Sequence, residues 1–268
     1  MYADDTKILA IIQNNQDTIL LQEDLLKLEN WSKDWLLKFN TDKCKIMHFG
    51  IKNPKCEYKL NDQVLSETLL ERDLGVLISN DLKWEKQVKV AAARANRVLA
   101  QIKLAFTNLD VKSAKILYTS FVRPHLEYGI SVWNPYFEKD INVLEKVQER
   151  ATKIPCLSKL GYSERLKKFN LTTLSERRTR GDLIQMFRYF KGLDKINWYS
   201  PVRLFEPVTR GLKVRMERQL VKRCMARYQF LTNRIVESWN NLPQKTIDSQ
   251  NVNQFKILLS ENQKAITG

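Results

Sequence analysis

Met1-Tyr2-Ala3-Asp4-Asp5-Thr6-Lys7 runs directly into the apolar stretch Ile8-Leu9-Ala10-Ile11-Ile12. Successive side chains of an extended chain point to opposite faces. Neighbouring carboxylates therefore converge on one cation only where the backbone turns, as at the tip of a β-hairpin. Asp-Asp is also ordinary turn composition, so the dipeptide alone reads equally as a solvated turn. The apolar run after it reads as a short strand.

Composition narrows the classes available. The 268 residues allow one large or two small domains, and 43% apolar residues with six Trp suffice for a substantial core. That content argues against a chain disordered throughout. Lys and Arg outnumber Asp and Glu by 45 to 30, a net charge of +15, which favours a polyanionic partner, nucleic acid ahead of membrane. Cys44, Cys56, Cys156 and Cys224 form no Cys-x-x-Cys pair, and His48 and His125 fall at no zinc-ligand spacing. Free thiols in the nucleus or cytoplasm are expected. The sequence shows no signal peptide and no apolar run near the ~20 residues of a membrane span.

Periodicity places the elements. Asp17 or Thr18 is a candidate helix cap, and Leu21, Leu25, Leu28, Trp35 and Phe39 recur at helical spacing to about Asn40. Asn40 to Lys43 turns, and the chain to Phe49 reads as a strand. Residues 51–71 read as a hairpin turning at Asn61-Asp62, followed by a strand over 73–79 in which Gly75 marks a bend or a close backbone approach. From Trp84 the texture becomes helical. Trp84, Val88, Ala92, Ala95, Leu99, Ile102 and Phe106 form one apolar arc, with Lys86, Lys89, Arg94, Arg97 and Lys103 outside it and Glu85 the lone acid. Such a face suits a phosphate backbone, although solvated charge is the ordinary reading. A further helix from about Val111 is expected to be interrupted at Arg123-Pro124. Arg123 is placed to pair with Glu127, Trp133 to fill core, and His125 to be structural. Helices are also expected over 141–154, from Ser163 as cap, after Leu174, over 227–240 and at the C-terminus, with 197–221 a loop. Arg177, Arg178 and Arg180 suit phosphate contact, and Glu176 and Asp182 are equally placed to pair with them.

Several of these strings, in order, resemble one family. Tyr-Ala-Asp-Asp before Thr-Lys and a strand, LLKFNTDKCKIMHF (36–49), the Leu-Gly-Val strand at 74–76, FVRPHLEYGISVWNP (121–135), the helix at 141–154, the Glu-Arg-Arg run at 176–178 and Arg-x-x-x-x-Trp-Asn-x-Leu-Pro at 234–243 are similar to the reverse transcriptases of non-LTR (LINE-type, jockey-like) retrotransposons. The resemblance implies an α+β, predominantly helical chain. Residues 1–83 would be a truncated palm of few short antiparallel strands, and residues 84–268 an all-helical thumb and C-terminal region. It implies Asp4 and Asp5 as catalytic ligands of Mg²⁺, Lys43 near the incoming nucleotide's phosphates and Gly75 near the primer end. Partners would be an RNA template with a DNA primer, and deoxynucleoside triphosphates in the full enzyme. The family also needs an Asp on an upstream strand that is not in this sequence. A fragment inactive alone, with an exposed sheet edge near its N-terminus, is therefore expected. A non-catalytic basic nucleic-acid binder and a pseudogene product are the alternatives.

Overall fold

The computed structural model describes residues 6–198, 200–205 and 215–267. The chain forms two compact units, Met1–Lys83 and Trp84–Gly268.

In the first unit, helix α1 spans Asn15–Asp34. Its cap is Asn14, not Asp17 or Thr18. The Asn14 side chain accepts from the Asp17 N–H and the Asp17 carboxylate accepts from the Asn14 N–H, a reciprocal arrangement that satisfies two donors at once. The helix ends six residues earlier than the apolar spacing suggested, because Leu36 takes φ +55°. Leu21, Leu25 and Leu28 are half-buried, whereas Trp35 is 66% exposed. The stretch Ile8–Ile12 is not a strand. Among the described residues no partner strand pairs with it, and Leu9 is 79% exposed.

Strand β1 (Lys45–Ile46) pairs in parallel with β4 (Ser66–Glu67). Strands β2 (Lys59–Leu60) and β3 (Gln63–Val64) form the expected hairpin through Asn61-Asp62, both residues with positive φ, the two-residue turn that matches strand twist. Strands β5 (Leu70–Asp73) and β6 (Val76–Ser79) form a second hairpin turning at Leu74-Gly75. Each ladder among the described residues has two strands, so no broad sheet is built there. α1 also occupies part of the β2 edge: the Gln22 side chain donates to the Lys59 carbonyl and accepts from its N–H, both at 2.9 Å.

The second unit is mainly helical. Helix α2 (Glu85–Ala105) buries Val88, Ala91, Ala92, Ala95 and Leu99. This alanine-rich stripe allows close approach of α5 (Glu138–Thr152), which buries Leu144, Val147 and Ala151. Between them α3 (Val111–Leu117) passes into a π turn over Tyr118–Val122 and then α4 (Arg123–Glu127). Pro124 does not break this helix. The Arg123 N–H reaches the Tyr118 carbonyl five residues back, so the wider turn absorbs the proline ring and its missing donor.

Helix α6 (Tyr162–Phe169) is capped at Gly161 instead of Ser163, with Glu164 accepting the Gly161 N–H at 2.9 Å. Helix α7 (Leu174–Phe190) opens on a Thr173/Glu176 capping box. The expected single helix over 227–240 is three short ones, α8 (Met225–Tyr228), α9 (Leu231–Arg234) and α10 (Val236–Asn240). Phe230 separates α8 from α9 by taking an extended conformation with ψ 150°. Helices α11 (Gln244–Ile247) and α12 (Val252–Thr267) finish the unit.

Within the expected loop, β7 (Arg203–Phe205) pairs antiparallel with β8 (Arg215–Glu217). The Asn240 side chain holds β8 by bonding both the N–H and the carbonyl of Met216 at 2.9 Å. Leu183, Met186, Phe187, Met216, Ile235, Trp239 and Phe255 form the core there, with Phe187 and Phe255 stacked at 4.2 Å.

Candidate nucleic-acid interface

The exposed face of α2 follows directly from its apolar arc. Alanine and valine on one side of a 3.6-residue helix leave the charged positions on the other. Lys86, Arg94 and Arg97 are exposed and make no ion pair among the described residues. Lys89 differs, because its ammonium lies 2.6 Å from Glu85. Lys139 on α5 reaches the other Glu85 oxygen at 2.7 Å. Those two lysines hold the Glu85 carboxyl down to about 2.

At the far end of α2, Lys103 donates to the Arg150 carbonyl at 3.0 Å and Arg150 donates to Asn96 at 3.0 Å. Partial burial, then Arg150 and Lys153, push the Lys103 ammonium below its ordinary value. Like charges crowd here, and none of the three is in an ion pair among the described residues. Arg150 and Lys153 were not among the sequence candidates. Their signal was present, since both lie in the last turn of α5 or just beyond it, but only the packing of α5 on α2 brings them to Lys103.

The three arginines of the run on α7 meet three different surroundings. Arg177 makes a two-pronged pair with Glu127, one bond at 2.9 Å, and Arg123 approaches the same carboxylate at 3.6 Å as expected. Arg178 is 2% exposed, and its Nε and Nη2 have no acceptor among the described residues. Burial pushes its guanidinium below the ordinary value, and it cannot meet a polyanion at the surface. Arg180 donates to the Lys256 carbonyl at 3.0 Å and to Ser260 Oγ at 3.1 Å. Neither proposed partner pairs with the run: Glu176 serves the helix cap, and Asp182 binds Arg234 at 2.7 and 2.8 Å.

The 121–135 string, which carried no chemical role in sequence, is the bracket that holds these groups. It supplies Glu127, the Tyr128 carbonyl that accepts from Trp133 at 2.7 Å, and the Ile130 carbonyl that accepts from Arg234 at 3.1 Å. Trp133 is fully buried and His125 is exposed.

In the first unit Lys43 is exposed on the turn Asn40–Lys43. Its N–H bonds the Asn40 carbonyl at 3.1 Å, and the turn is tied to β3 where Gln63 donates to Asp42 at 3.2 Å. Gly75 sits at the second position of the β5–β6 turn with φ +85°. Its glycine is required by that backbone conformation, and it is not a bend within a strand. Asp4 and Asp5 lie outside the described residues. Among the described residues no group of three or more His, Cys, Asp or Glu is arranged to hold a metal ion. No helix among them is long and apolar enough to cross a membrane, and all four cysteines are free.

The chain thus consists of a helical unit with exposed, unpaired cations among its described residues and a small α+β unit. Sequence comparison adds relatives. The chain is 25% identical over 157 residues to a protein described as a probable RNA-directed DNA polymerase from transposon BS of Drosophila melanogaster. It is 23% identical over 154 residues to the RNA-directed DNA polymerase from mobile element jockey of the same organism. Each match covers 56% of this chain and 17% of the relative, so the chain spans about a sixth of the length of these two curated proteins. It is also 25% identical over 133 residues to an uncharacterized Caenorhabditis elegans protein, covering 48% of this chain and 65% of that one. No protein-family model and no solved structure matches. The chain is thus related to the RNA-directed DNA polymerases of transposable elements.

Proposed function

We propose that the second unit holds a nucleic-acid duplex by its phosphates, as the thumb of a non-LTR retrotransposon reverse transcriptase whose palm ends in residues 1–83. The observation that carries this reading is the α2 face, where Lys86, Arg94 and Arg97 stand exposed and unpaired among the described residues. The Lys103–Arg150–Lys153 cluster extends it. Cations at helical spacing neutralise a backbone without reading its sequence. Similarity to the two Drosophila polymerases supports the enzyme class. In the complete enzyme the bound strands would be an RNA template and a DNA primer. Asp4 and Asp5 would be ligands of Mg²⁺, which supplies charge stabilisation at the transferring phosphoryl group, and Lys43 would lie on the phosphate side.

A second reading, a non-catalytic binder, is favoured by one fact: the whole cationic face lies in a unit that closes its own core. Titrating salt against the anisotropy of a labelled RNA–DNA hybrid, with and without Mg²⁺, tests both. The affinity should fall steeply with salt. Replacing Lys86, Arg94 and Arg97 together by Gln should make the slope shallower by about 2.7, at roughly 0.9 per phosphate contact. An unchanged slope, or no binding at low salt, would leave the +15 charge as a solubility feature only. Mg²⁺-dependent binding lost in Asp4→Asn would favour the polymerase reading over the plain binder.

A further inference from the structure

We propose that the cleft between α4, α7 and α12 is a binding site for a phosphate-class oxyanion. The cleft has a volume of about 300 Å³, and its charged lining is Arg177, Arg180, Lys256 and Glu127, a size at the small end of ligand pockets. Glu127 is its one carboxylate, and its oxygens are committed to Arg177 and to Arg123 from the same helix. Arg180 and Lys256 are left without a carboxylate among the described residues.

Arg180 is anchored through Nη2 on the Lys256 carbonyl and Ser260. Its Nη1 is closed off from solvent and has no acceptor among the described residues. An unsatisfied nitrogen on a charged, half-buried guanidinium is costly, and a small swing of the side chain toward the cleft would give it an acceptor there. Burial and the neighbouring Arg177 already hold the Arg180 guanidinium below its ordinary value, as an unbalanced cation should be. The remaining wall is apolar, from Ile130 and Ile184, and Gly181 keeps α7 close to it: a Cβ there would lie 2.9 Å from Ile130 Cδ1.

A fork-shaped guanidinium beside a point-charged ammonium suits an oxyanion offering three or more acceptor oxygens. Phosphodiester in a nucleic-acid strand and free phosphate share that chemistry. The site does not depend on the α2 face binding a duplex.

Calorimetric titration of the full chain with pyrophosphate at low salt is the test. Wild type should bind saturably, and Arg180→Gln and Lys256→Gln should each weaken binding about tenfold or more. The Lys86/Arg94/Arg97→Gln triple variant should leave it unchanged. Because Arg180 also tethers α12, Lys256→Gln decides the matter if circular dichroism shows Arg180→Gln to be misfolded. Equal affinity in wild type and Lys256→Gln, or equal loss in the α2 triple variant, would overturn the site. With the site upheld, displacement of a hybrid duplex by pyrophosphate assigns it to strand phosphodiesters. Simultaneous binding of both assigns it to a free phosphate.

Discussion

Replacing Asp182 by Asn should destabilise the second unit severely, although the change removes no atoms from the core and keeps the shape of the side chain. The Asp182 side chain is 3% exposed and that of Arg234 is 9% exposed. Arg234 spends its donors on both Asp182 oxygens at 2.7 and 2.8 Å, on Ile130 and Ser131 carbonyls at 3.1 and 3.4 Å, and on the Gln229 carbonyl at 3.2 Å. One guanidinium therefore joins α7, the segment after α4 and the α8–α9 break. Burial pushes the Asp182 carboxyl above its usual value against the pull of Arg234, so the pair's stability comes from mutual compensation. Without the carboxylate a buried cation is left facing an amide, a loss of about 3–5 kcal/mol. For a unit of this size, a loss of about 4 kcal/mol lowers Tm by roughly 8–16 °C. Urea unfolding followed by tryptophan emission would measure it, since Trp133 and Trp239 are buried whereas Trp31 and Trp35 are exposed. Asp182→Leu combined with Arg234→Met should recover part of the loss, because an apolar pair carries no desolvation cost while the Ile130, Ser131 and Gln229 carbonyls lose a donor. A loss below about 1 kcal/mol in Asp182→Asn, the range of an exposed pair, would refute the reasoning.

Two further outcomes follow from local geometry. Leu74 holds φ +43° in the β5–β6 turn while 49% exposed, so Leu74→Asn should stabilise the first unit by about 0.5–1 kcal/mol, read as a rise in the urea midpoint; a fall would show that Leu74 earns its place by packing. Glu85 should titrate near 2, well under its ordinary 4.5. Its depressed value means that its contribution to stability is present above about pH 4.5 and is lost as pH falls toward 2. Lys139→Gln should raise the titration midpoint in carboxyl NMR, and an unmoved midpoint would remove Lys139 as its cause.

Much of the local structure was legible in the residues. The Asn61-Asp62 turn needs positive φ twice, and asparagine and aspartate tolerate it best after glycine. The α2 arc was legible because a 3.6-residue period of apolar side chains has few alternatives over 21 residues. Short elements were less so. Three helices of four or five residues lie between Met225 and Asn240, and the bonds from Arg234 to Asp182 on α7 join them to a distant segment that local periodicity does not register. The β7–β8 segment has the composition of a loop, and Asn240, 24 residues beyond Met216, is what holds β8.

The sequence by itself determined the charge, the helical character from Trp84 onward and the collinear strings that tie the chain to transposon polymerases. Those properties depend on residue type and spacing along the chain, which the sequence carries in full. Tertiary structure alone decided what each cation faces. Arg177, Arg178 and Arg180 lie within four consecutive positions. One nonetheless pairs with Glu127, one is buried and one ties α7 to α12. Successive residues on a helix point about 100° apart, and whether each direction meets a carboxylate, a core or an open cleft depends on segments distant in sequence.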